Sequence, residues 1–497
     1  MGVRIVGFLI GKLLLAFSFF LLFPMVYAMI HGEGTVSAFF ISACVAGTIG
    51  GCLVAYGESS GHVSMRDGFL VVAGSWMSTC LLGALPFWLS GSLPVWVDAL
   101  FESVSGLTAT GASVVIDLSM LPESILLWRS LTHWVGGMGI IVLFIVFLNN
   151  LGADAVHLFK AEVPGPKVER VMPRIRSLAL TLWKMYILFT FLLMILLYLA
   201  GMDLFEAVNH TFSTIAAGGF STKNSSIQHY DNLLIELIIT FFMILAGGNY
   251  ALYYIAWEKG MLNLFRDTEF RLYLTILFLS TLAITAALYW QTGVELGTGF
   301  QDALFTVVSM QTSTGFVVVD YDQWPPVTKM ILFTLMFVGG CAGSTAGGMK
   351  VIRWLILFKY SVGCLQRYVH PGMVQTVKVG NKPVQPAVLV AVLQFFFMYM
   401  LIYAISVIIV AATGMPAFDA FGAVASLMGN VGPAFGVVGP TTTFAEAHPV
   451  AKYVFMTDML LGRLELLTIL VLLHPEFWQP YLLRRRRDGL QYSHIGS

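Results

Sequence analysis

An acidic residue followed by Ala, then a Ser, then a Gly recur four times along this chain at fixed spacing. The copies are Asp98-Ala99…Ser105…Gly111, Glu206-Ala207…Ser213…Gly219, Asp302-Ala303…Ser309…Gly315 and Asp419-Ala420…Ser426…Gly432. Asp and Glu together supply only 27 of 497 residues, so an acid at the same distance before the same Gly in every copy marks an internal repeat. Whatever the chain builds, it builds from four copies of one unit.

Composition then decides the solvent. With 58% hydrophobic residues, 11% charged residues and a mean hydropathy of +0.82, the chain is an integral membrane protein. A hydrocarbon core of roughly 30 Å needs about 20 residues of helix. Stretches of that kind lie near 4–30, 36–56, 68–90, 124–150, 178–201, 232–257, 270–291, 326–357, 386–414 and 449–474. The first is too long for a cleaved signal peptide and is read as a membrane helix. Each repeat motif sits between two such spans in a short apolar stretch, for example Val95 to Leu107 or Phe300 to Gln311, too short to cross and suited to a re-entrant segment.

A span, half-span and span unit crosses the bilayer an even number of times, so successive units keep one orientation and can surround a single axis. The expected fold is therefore an all-α integral membrane protein with ten transmembrane helices and four re-entrant pore segments, in four parallel repeats around a central pore. Two leading helices occupy 1–67, and the repeats occupy 68–150, 178–258, 270–360 and 386–474. A basic tail fills 475–497.

Charge placement orients the bundle. Lys160, Lys167, Arg170, Arg174 and Arg176 share one loop; Lys259, Arg266 and Arg271 the next on that side; Arg367, Lys378 and Lys382 a third; Arg484 to Arg487 the tail. The positive-inside rule makes these cytoplasmic and, with ten crossings, puts both termini inside. The arginine run reads as a topology signal, with a lipid or partner site as its alternative. Opposite loops carry Glu33, Asp117, Asp203, Glu295, Asp320, Asp322 and Glu446, an outer face that concentrates cations. The five cysteines show no metal-ligand spacing, and no linker separates off a soluble domain.

Within each unit the acid and Ala are expected to open a short helix, the carboxylate lying at the positive end of its dipole. The helix then ends at a small-residue turn: Thr108-Ala109-Thr110-Gly111-Ala112, Ala216-Ala217-Gly218-Gly219-Phe220, Thr312-Ser313-Thr314-Gly315-Phe316 and Gly429-Asn430-Val431-Gly432-Pro433. Non-helical backbone at membrane depth must be buried or line an aqueous cavity. A Gly in each turn frees the backbone to aim carbonyls at the axis, where converging rings replace the hydration shell of a monovalent cation. Close helix packing through small residues is the competing reading of any single copy.

These four single-Gly turns, together with Gly339-Gly340-Cys341-Ala342-Gly343-Ser344-Thr345-Ala346-Gly347-Gly348-Met349-Lys350, resemble the TrkH/TrkG branch of the Trk/Ktr/HKT potassium transporter superfamily. The resemblance covers roughly 68–474, and the two leading spans fit that branch. It implies potassium uptake at a bacterial cytoplasmic (inner) membrane, a homodimer in which each subunit has its own pathway, and control by a cytosolic nucleotide-binding TrkA-like ring. It also implies potassium coordination by Thr110 and Gly111, Gly218 and Gly219, Thr314 and Gly315, and Val431 and Gly432, mainly through backbone carbonyls. Potassium is then substrate, and no cofactor is expected in this chain. The fourth turn departs most in side chains, so an imperfect fourfold site is expected.

The run Gly339 to Gly348 is ten small residues inside an otherwise apolar span. It reads either as a packing face, with Gly339, Gly343 and Gly347 recurring every four residues, or as a break in the helix, since each Gly costs helix about 1 kcal/mol relative to Ala. The resemblance favours the second, an intramembrane gating loop over 339–350 that includes Gly340, Ser344, Thr345, Gly348 and Lys350. Arg463, in Gly462-Arg463-Leu464-Glu465, either pairs with Asp458 or Glu465 or stands near the pore as an electrostatic barrier.

Enzyme signatures are weak. Gly57-Glu58-Ser59-Ser60-Gly61 matches a nucleophile-elbow string without a preceding strand, and Gly343 to Gly348 has phosphate-loop glycine spacing with Met349 where the Lys belongs. His133, His210, His229 and His448 show no metal spacing and read as structural or interfacial. The competing functions are a symporter for another cation or small solute, favoured by inverted symmetry, and a membrane hydrolase built on a reactive Ser59. No nucleic-acid partner is implied; membrane lipid is.

Overall fold

The computed structural model describes residues 2–58, 64–139, 175–373, 376–380, 382–464 and 466–479. The basic residues 160–174, Arg484 to Arg487, Ser59 and Glu465 lie outside them. Chains surrounded by lipid must pair their backbone groups internally, and the regular elements among the described residues are correspondingly helices. The exception is a hairpin of two-residue strands, β1 (Lys378–Val379) against β2 (Lys382–Pro383).

Two leading elements, α1 (Val3–Phe20) with its continuation α2 (Leu22–His31) and α3 (Val36–Tyr56), pack on the first repeat. That repeat comprises α4 (Met65–Gly83), α5 (Leu85–Leu89), the short α6 (Trp96–Leu107) and α7 (Glu123–Gly137). The second comprises α8 (Ile175–Leu199), the short α9 (Leu204–Ala216), α10 (Leu233–Gly247) and α11 (Tyr250–Lys259), followed by α12 (Leu262–Arg266). The third has α13 (Thr268–Thr292), the short α14 (Leu296–Gln311), α15 (Pro326–Phe337) and α16 (Val351–Val369). The fourth has α17 (Pro386–Ala412), the short α18 (Ala417–Met428), α19 (Pro449–Arg463) and α20 (Leu467–Leu473).

Six helical stretches among the described residues are long and apolar enough to cross a membrane: Val3–His31, Val36–Tyr56, Met65–Leu89, Ala179–Leu199, Thr268–Thr292 and Pro386–Ala412. A seventh is added if α10 and α11, bent by 96°, count as one span. The first helix of each repeat is thus continuous, whereas the second is broken in repeats two, three and four; in repeat one its described part, α7, stops at Gly137. Hydropathy marks 232–257 and 449–474 as spans without a break, whereas the run Gly339 to Gly348 already pointed to a break inside 326–357. The described helix ends fall at glycines pressed against the ends of the short helices. A Cβ on Gly136 would lie 1.7 Å from the Leu107 carbonyl oxygen, one on Gly247 2.8 Å from Thr312 Cγ2, and one on Gly462 2.2 Å from the Met428 carbonyl oxygen. The second helices therefore end or bend where they meet the four short helices, whose C-terminal halves are buried.

Candidate functional site

The repeated Ser and the turn after it explain how each short helix stops. The third turn residue donates its N–H five residues back to the Ser carbonyl: Thr110 to Ser105, Gly218 to Ser213, Thr314 to Ser309 and Val431 to Ser426, at 2.8 to 2.9 Å. The second turn residue donates three residues back in every copy. This is the bonding of a left-handed helix cap, and the left-handed residue is Ala109, Ala217, Ser313 or Asn430, with φ from 52° to 56°. None is Gly, so each turn stores backbone strain of about 1–3 kcal/mol. The Gly two positions later also has positive φ: 82° at Gly111, 76° at Gly219 and Gly315, and 103° at Gly432.

Three short helices carry their motif acid in the first turn, as the dipole argument expects: Asp98, Glu206 and Asp419. The third departs, because α14 begins at Leu296 behind Glu295 and Asp302 lies further along it. The acids also bind outward. Asp98 accepts from Lys452 of the fourth repeat at 2.6 Å, and Glu206 pairs with Lys223 at 2.6 Å.

The four turns form a closed cycle. A Cβ on Gly111 would lie 2.0 Å from the Gly218 carbonyl oxygen; on Gly219, 2.0 Å from that of Thr314; on Gly315, 2.0 Å from that of Val431; on Gly432, 2.6 Å from that of Thr110. Each repeat's Gly abuts the carbonyl of the next, in chain order, and the fourth returns to the first. Asn430 Nδ2 donating to Thr110 Oγ1 at 2.9 Å seals the last junction. All eight residues singled out in the turns are thus brought together, with the carbonyls of Thr110, Gly218, Thr314 and Val431 set around one centre.

On one side of this ring is a polar cavity of about 140 Å³, lined by Gly111, Gly219, Gly315, Lys223, Asn224 and Thr441 among others. Asp117, next to the lining residues Ile116 and Leu118, accepts hydrogen bonds from the lining Asn224 and from the Ser119 side chain and N–H, which hold its carboxyl below the usual range. Asp117 is thereby kept ionised beside a lining that itself carries Lys223 and Arg129.

On the other side lies the run 339–350, a loop between α15 and α16. The packing-face reading fails here, because the segment is not helical. Gly347 N–H donates to Ser313 Oγ at 2.5 Å, and a Cβ on Gly347 would lie 2.4 Å from the Gly429 carbonyl oxygen. Thr345 Oγ1 donates to the Ile215 carbonyl at 3.0 Å, and Cys341 N–H to that of Gly247 at 2.8 Å. Gly339 N–H donates to the Met349 carbonyl at 3.0 Å, and Val351 N–H to that of Gly340 at 3.1 Å. Ser344 Oγ donates to the Cys341 carbonyl at 2.6 Å, Lys350 Nζ to that of Ala346, and Gly343 and Gly348 take positive φ. The run Gly339 to Gly348 carries no bulky side chain that could anchor it. Backbone hydrogen bonds hold it instead, and it is largely buried.

Arg463 is not held by Asp458, which accepts from Ser406 Oγ at 2.8 Å. Its guanidinium donates to the Thr345 carbonyl at 2.8 Å, the Gly136 carbonyl at 2.8 Å and the Gly137 carbonyl. One side chain of the fourth repeat thereby ties the loop of the third to the break in the first. Among the described residues no group of His, Cys, Asp and Glu has the arrangement of a metal site.

Reading the sequence overlooked Glu102 and Arg129, fully buried and paired at 2.7 Å behind the first two turns. Arg129 inside an apolar stretch was the available signal. The Gly-Gly pairs 136–137, 247–248 and 339–340 were the signal for the broken helices.

A family model described as TrkH, cation transport protein, matches residues 35–480, which takes in all four turns and the loop. The chain belongs to the TrkH family. Its relatives include the Trk system potassium uptake protein TrkH of Escherichia coli K12, 40% identical over 484 residues, covering 96% of this chain and all of the relative. TrkG of the same organism is 36% identical over 482 residues, covering 96% and 99%. The crystal structure of the potassium transporter TrkH from Vibrio parahaemolyticus superposes with a TM-score of 0.87 at 36% identity, covering 96% of this chain and 100% of that one. TrkH-family membership makes the chain a multi-pass membrane transporter and not an enzyme, so the Ser59 hydrolase reading falls.

Proposed function

We propose that this chain takes up potassium across a bacterial cytoplasmic membrane through the ring of four glycine turns. The observation that carries the reading is the cyclic approach of each turn's Gly to the next turn's carbonyl. Four carbonyls fixed around one centre offer a dehydrating cation what water offered, and the ring's diameter discriminates among cations by the fit and field of those oxygens. Backbone oxygens carry partial charge only, so an ion is held weakly enough to leave.

Thr110 and Gly111, Gly218 and Gly219, Thr314 and Gly315, and Val431 and Gly432 coordinate the ion. The acid-rimmed cavity collects cations before they dehydrate. Loop 339–350 closes the pathway on the inner side, and Arg463 adds a positive barrier beside it. Ten crossings with four re-entrant helices place both termini in the cytoplasm, each broken second helix counting as one crossing. The working assembly is a homodimer with one pathway per subunit, opened when a cytosolic nucleotide-binding TrkA-like ring pulls on the loop's flanking helices. The chain order of the four turns around one axis favours this over a symporter with inverted halves.

Growth of a potassium-uptake-deficient host in low potassium, with and without sodium, tests the reading. Rescue that depends on the intact turns is expected. No rescue by well-expressed protein would overturn it.

A further inference from the structure

The four motif serines do not all do the same work. Ser309 Oγ donates to the Phe316 carbonyl at 2.7 Å and Ser426 Oγ to the Pro433 carbonyl at 2.8 Å, so in repeats three and four the helix latches the residue that follows its own filter Gly. The hydroxyls of Ser105 and Ser213 are buried and have no hydrogen-bond partner. Repeats one and two therefore hold their outer filter strands by other means.

In repeat two His210 Nε2 lies 3.0 Å from Ser221 Oγ, and three further side chains outside the motif act across repeats one and two. Glu102 on α6 accepts from Val114 N–H at 3.0 Å and from Ser113 Oγ at 3.0 and 3.2 Å, just beyond the first turn. Arg129 on α7 donates Nε to Glu102 at 2.7 Å, Nη1 to the Ser221 carbonyl at 3.1 Å and Nη2 to Ser113 Oγ at 3.2 Å, with its guanidinium 4.0 Å from the Phe220 ring centre. His133, one turn further along α7, stacks on Phe220 at 4.1 Å. Its Nδ1 lies 2.7 Å from the Gly106 carbonyl and its Nε2 3.2 Å from Phe220 N–H. A carbonyl only accepts and an amide N–H only donates, so the ring is neutral, protonated on Nδ1 and accepting at Nε2.

The second span of repeat one thus grips the filter strand of repeat two. No other repeat has this device. Counted back from the glycine where each second span breaks, Arg129 corresponds to Thr240, Leu332 and Phe455, and His133 to Ile244, Met336 and Met459. A charge at these positions is costly in lipid surroundings and is retained only with partners, which Arg129 has on every nitrogen.

We propose that Arg129, Glu102 and His133 form a clamp that sets ion discrimination by fixing the spacing between the first and second filter turns, replacing the serine latch of the other two repeats. They are positioning residues: they act on the ion through the strands at Ser113, Phe220 and Ser221, and touch no ion. The inference rests on the proposed filter. A ring closed by two kinds of fastening is asymmetric, and the half held by a charged clamp responds to changes the latched half does not feel.

The test is relative sodium and potassium flux in vesicles reconstituted with equal amounts of folded protein. His133→Leu fills similar space but leaves Phe220 N–H unpaired, and sodium flux relative to potassium should rise by about five- to tenfold, within the scale of one lost buried hydrogen bond. His133→Gln, which can both donate to Gly106 and accept from Phe220, should restore most of the discrimination. Glu102→Gln with Arg129→Gln should lose it. Phe220→Leu reads the same clamp from the filter side if His133→Leu does not fold. A purely structural role predicts less folded protein with an unchanged ion ratio, and that result overturns the proposal, as does equal discrimination by the Leu and Gln variants. Gly219→Ser measured alongside separates the two layers: if it alters the ratio while the clamp variants do not, the filter stands and the clamp falls; if neither does, the filter reading falls.

Discussion

A methyl group at Gly315 would sit 2.0 Å from the Val431 carbonyl oxygen and 2.9 Å from Pro433 Cδ, on a backbone with φ of 76°. Gly111 meets the Gly218 carbonyl in the same way. Ser at either position adds about 1–3 kcal/mol of backbone strain and forces two turns apart, so Gly111→Ser or Gly315→Ser should lower potassium over sodium discrimination by about tenfold. Ion-competition flux measures it, and unchanged preference in both variants would remove these turns from the filter. The buried pair Glu102–Arg129 makes a second prediction at this scale. Glu102→Ala strands a buried guanidinium, which costs about 3–5 kcal/mol, so the thermal midpoint and the yield of folded protein should fall sharply. Replacing Glu58, whose pair with Arg4 is exposed, should change neither. The repeating acid, Ser and Gly made the turn positions legible. The clamp was not, because Arg129, Glu102 and His133 lie outside the repeat and acquire meaning only when a neighbouring repeat is packed against them.

Among elements, loop 339–350 abuts the ring through Gly347, and in the proposed function it separates that ring from the exit. It is small in side chains yet well bonded, so opening it means breaking hydrogen bonds to Ile215, Gly247 and Ser313 rather than merely releasing slack. Gating segments come from elements with two accessible packings, and a loop held through backbone groups supplies one when its flanking helices are pulled. Deleting Cys341 to Gly347 should raise flux in vesicles lacking any partner while the protein stays folded; a folded deletion variant with unaltered flux would leave the loop with a packing role. Arg463→Ala releases the carbonyls of Thr345, Gly136 and Gly137 together. Flux should increase several-fold, and Arg463→Lys, which lacks the planar fork, should only partly reverse it. The loop was legible as ten small residues in a row. The helix ends at Gly136–Gly137, Gly247 and Gly462 were not, since an apolar stretch read for its length does not register one or two glycines.

The ring closes within one polypeptide. Selective flux should therefore survive dispersal of the assembly into single subunits, checked by conductance from vesicles holding at most one copy. Nucleotide response is a different matter. Purified protein alone should show none, and adding the cytosolic ring should restore it; full nucleotide-dependent flux from this chain alone would contradict the proposed partner.

At the scale of the whole molecule, the sequence by itself determined a membrane-embedded helical protein of four like units, because hydropathy and in-frame motifs are properties of one strand of residues read in order. It also located the four turns and the small-residue loop. The tertiary structure alone decided that each Gly faces the next repeat's carbonyl, that Arg463 joins three repeats, and that the strand after the turn is bonded to the motif serine in two repeats and to Glu102, Arg129 or His133 in the other two. Those facts are distances between residues up to 327 positions apart, as from Arg463 to Gly136, and no local periodicity encodes which surfaces meet when four units close around an axis.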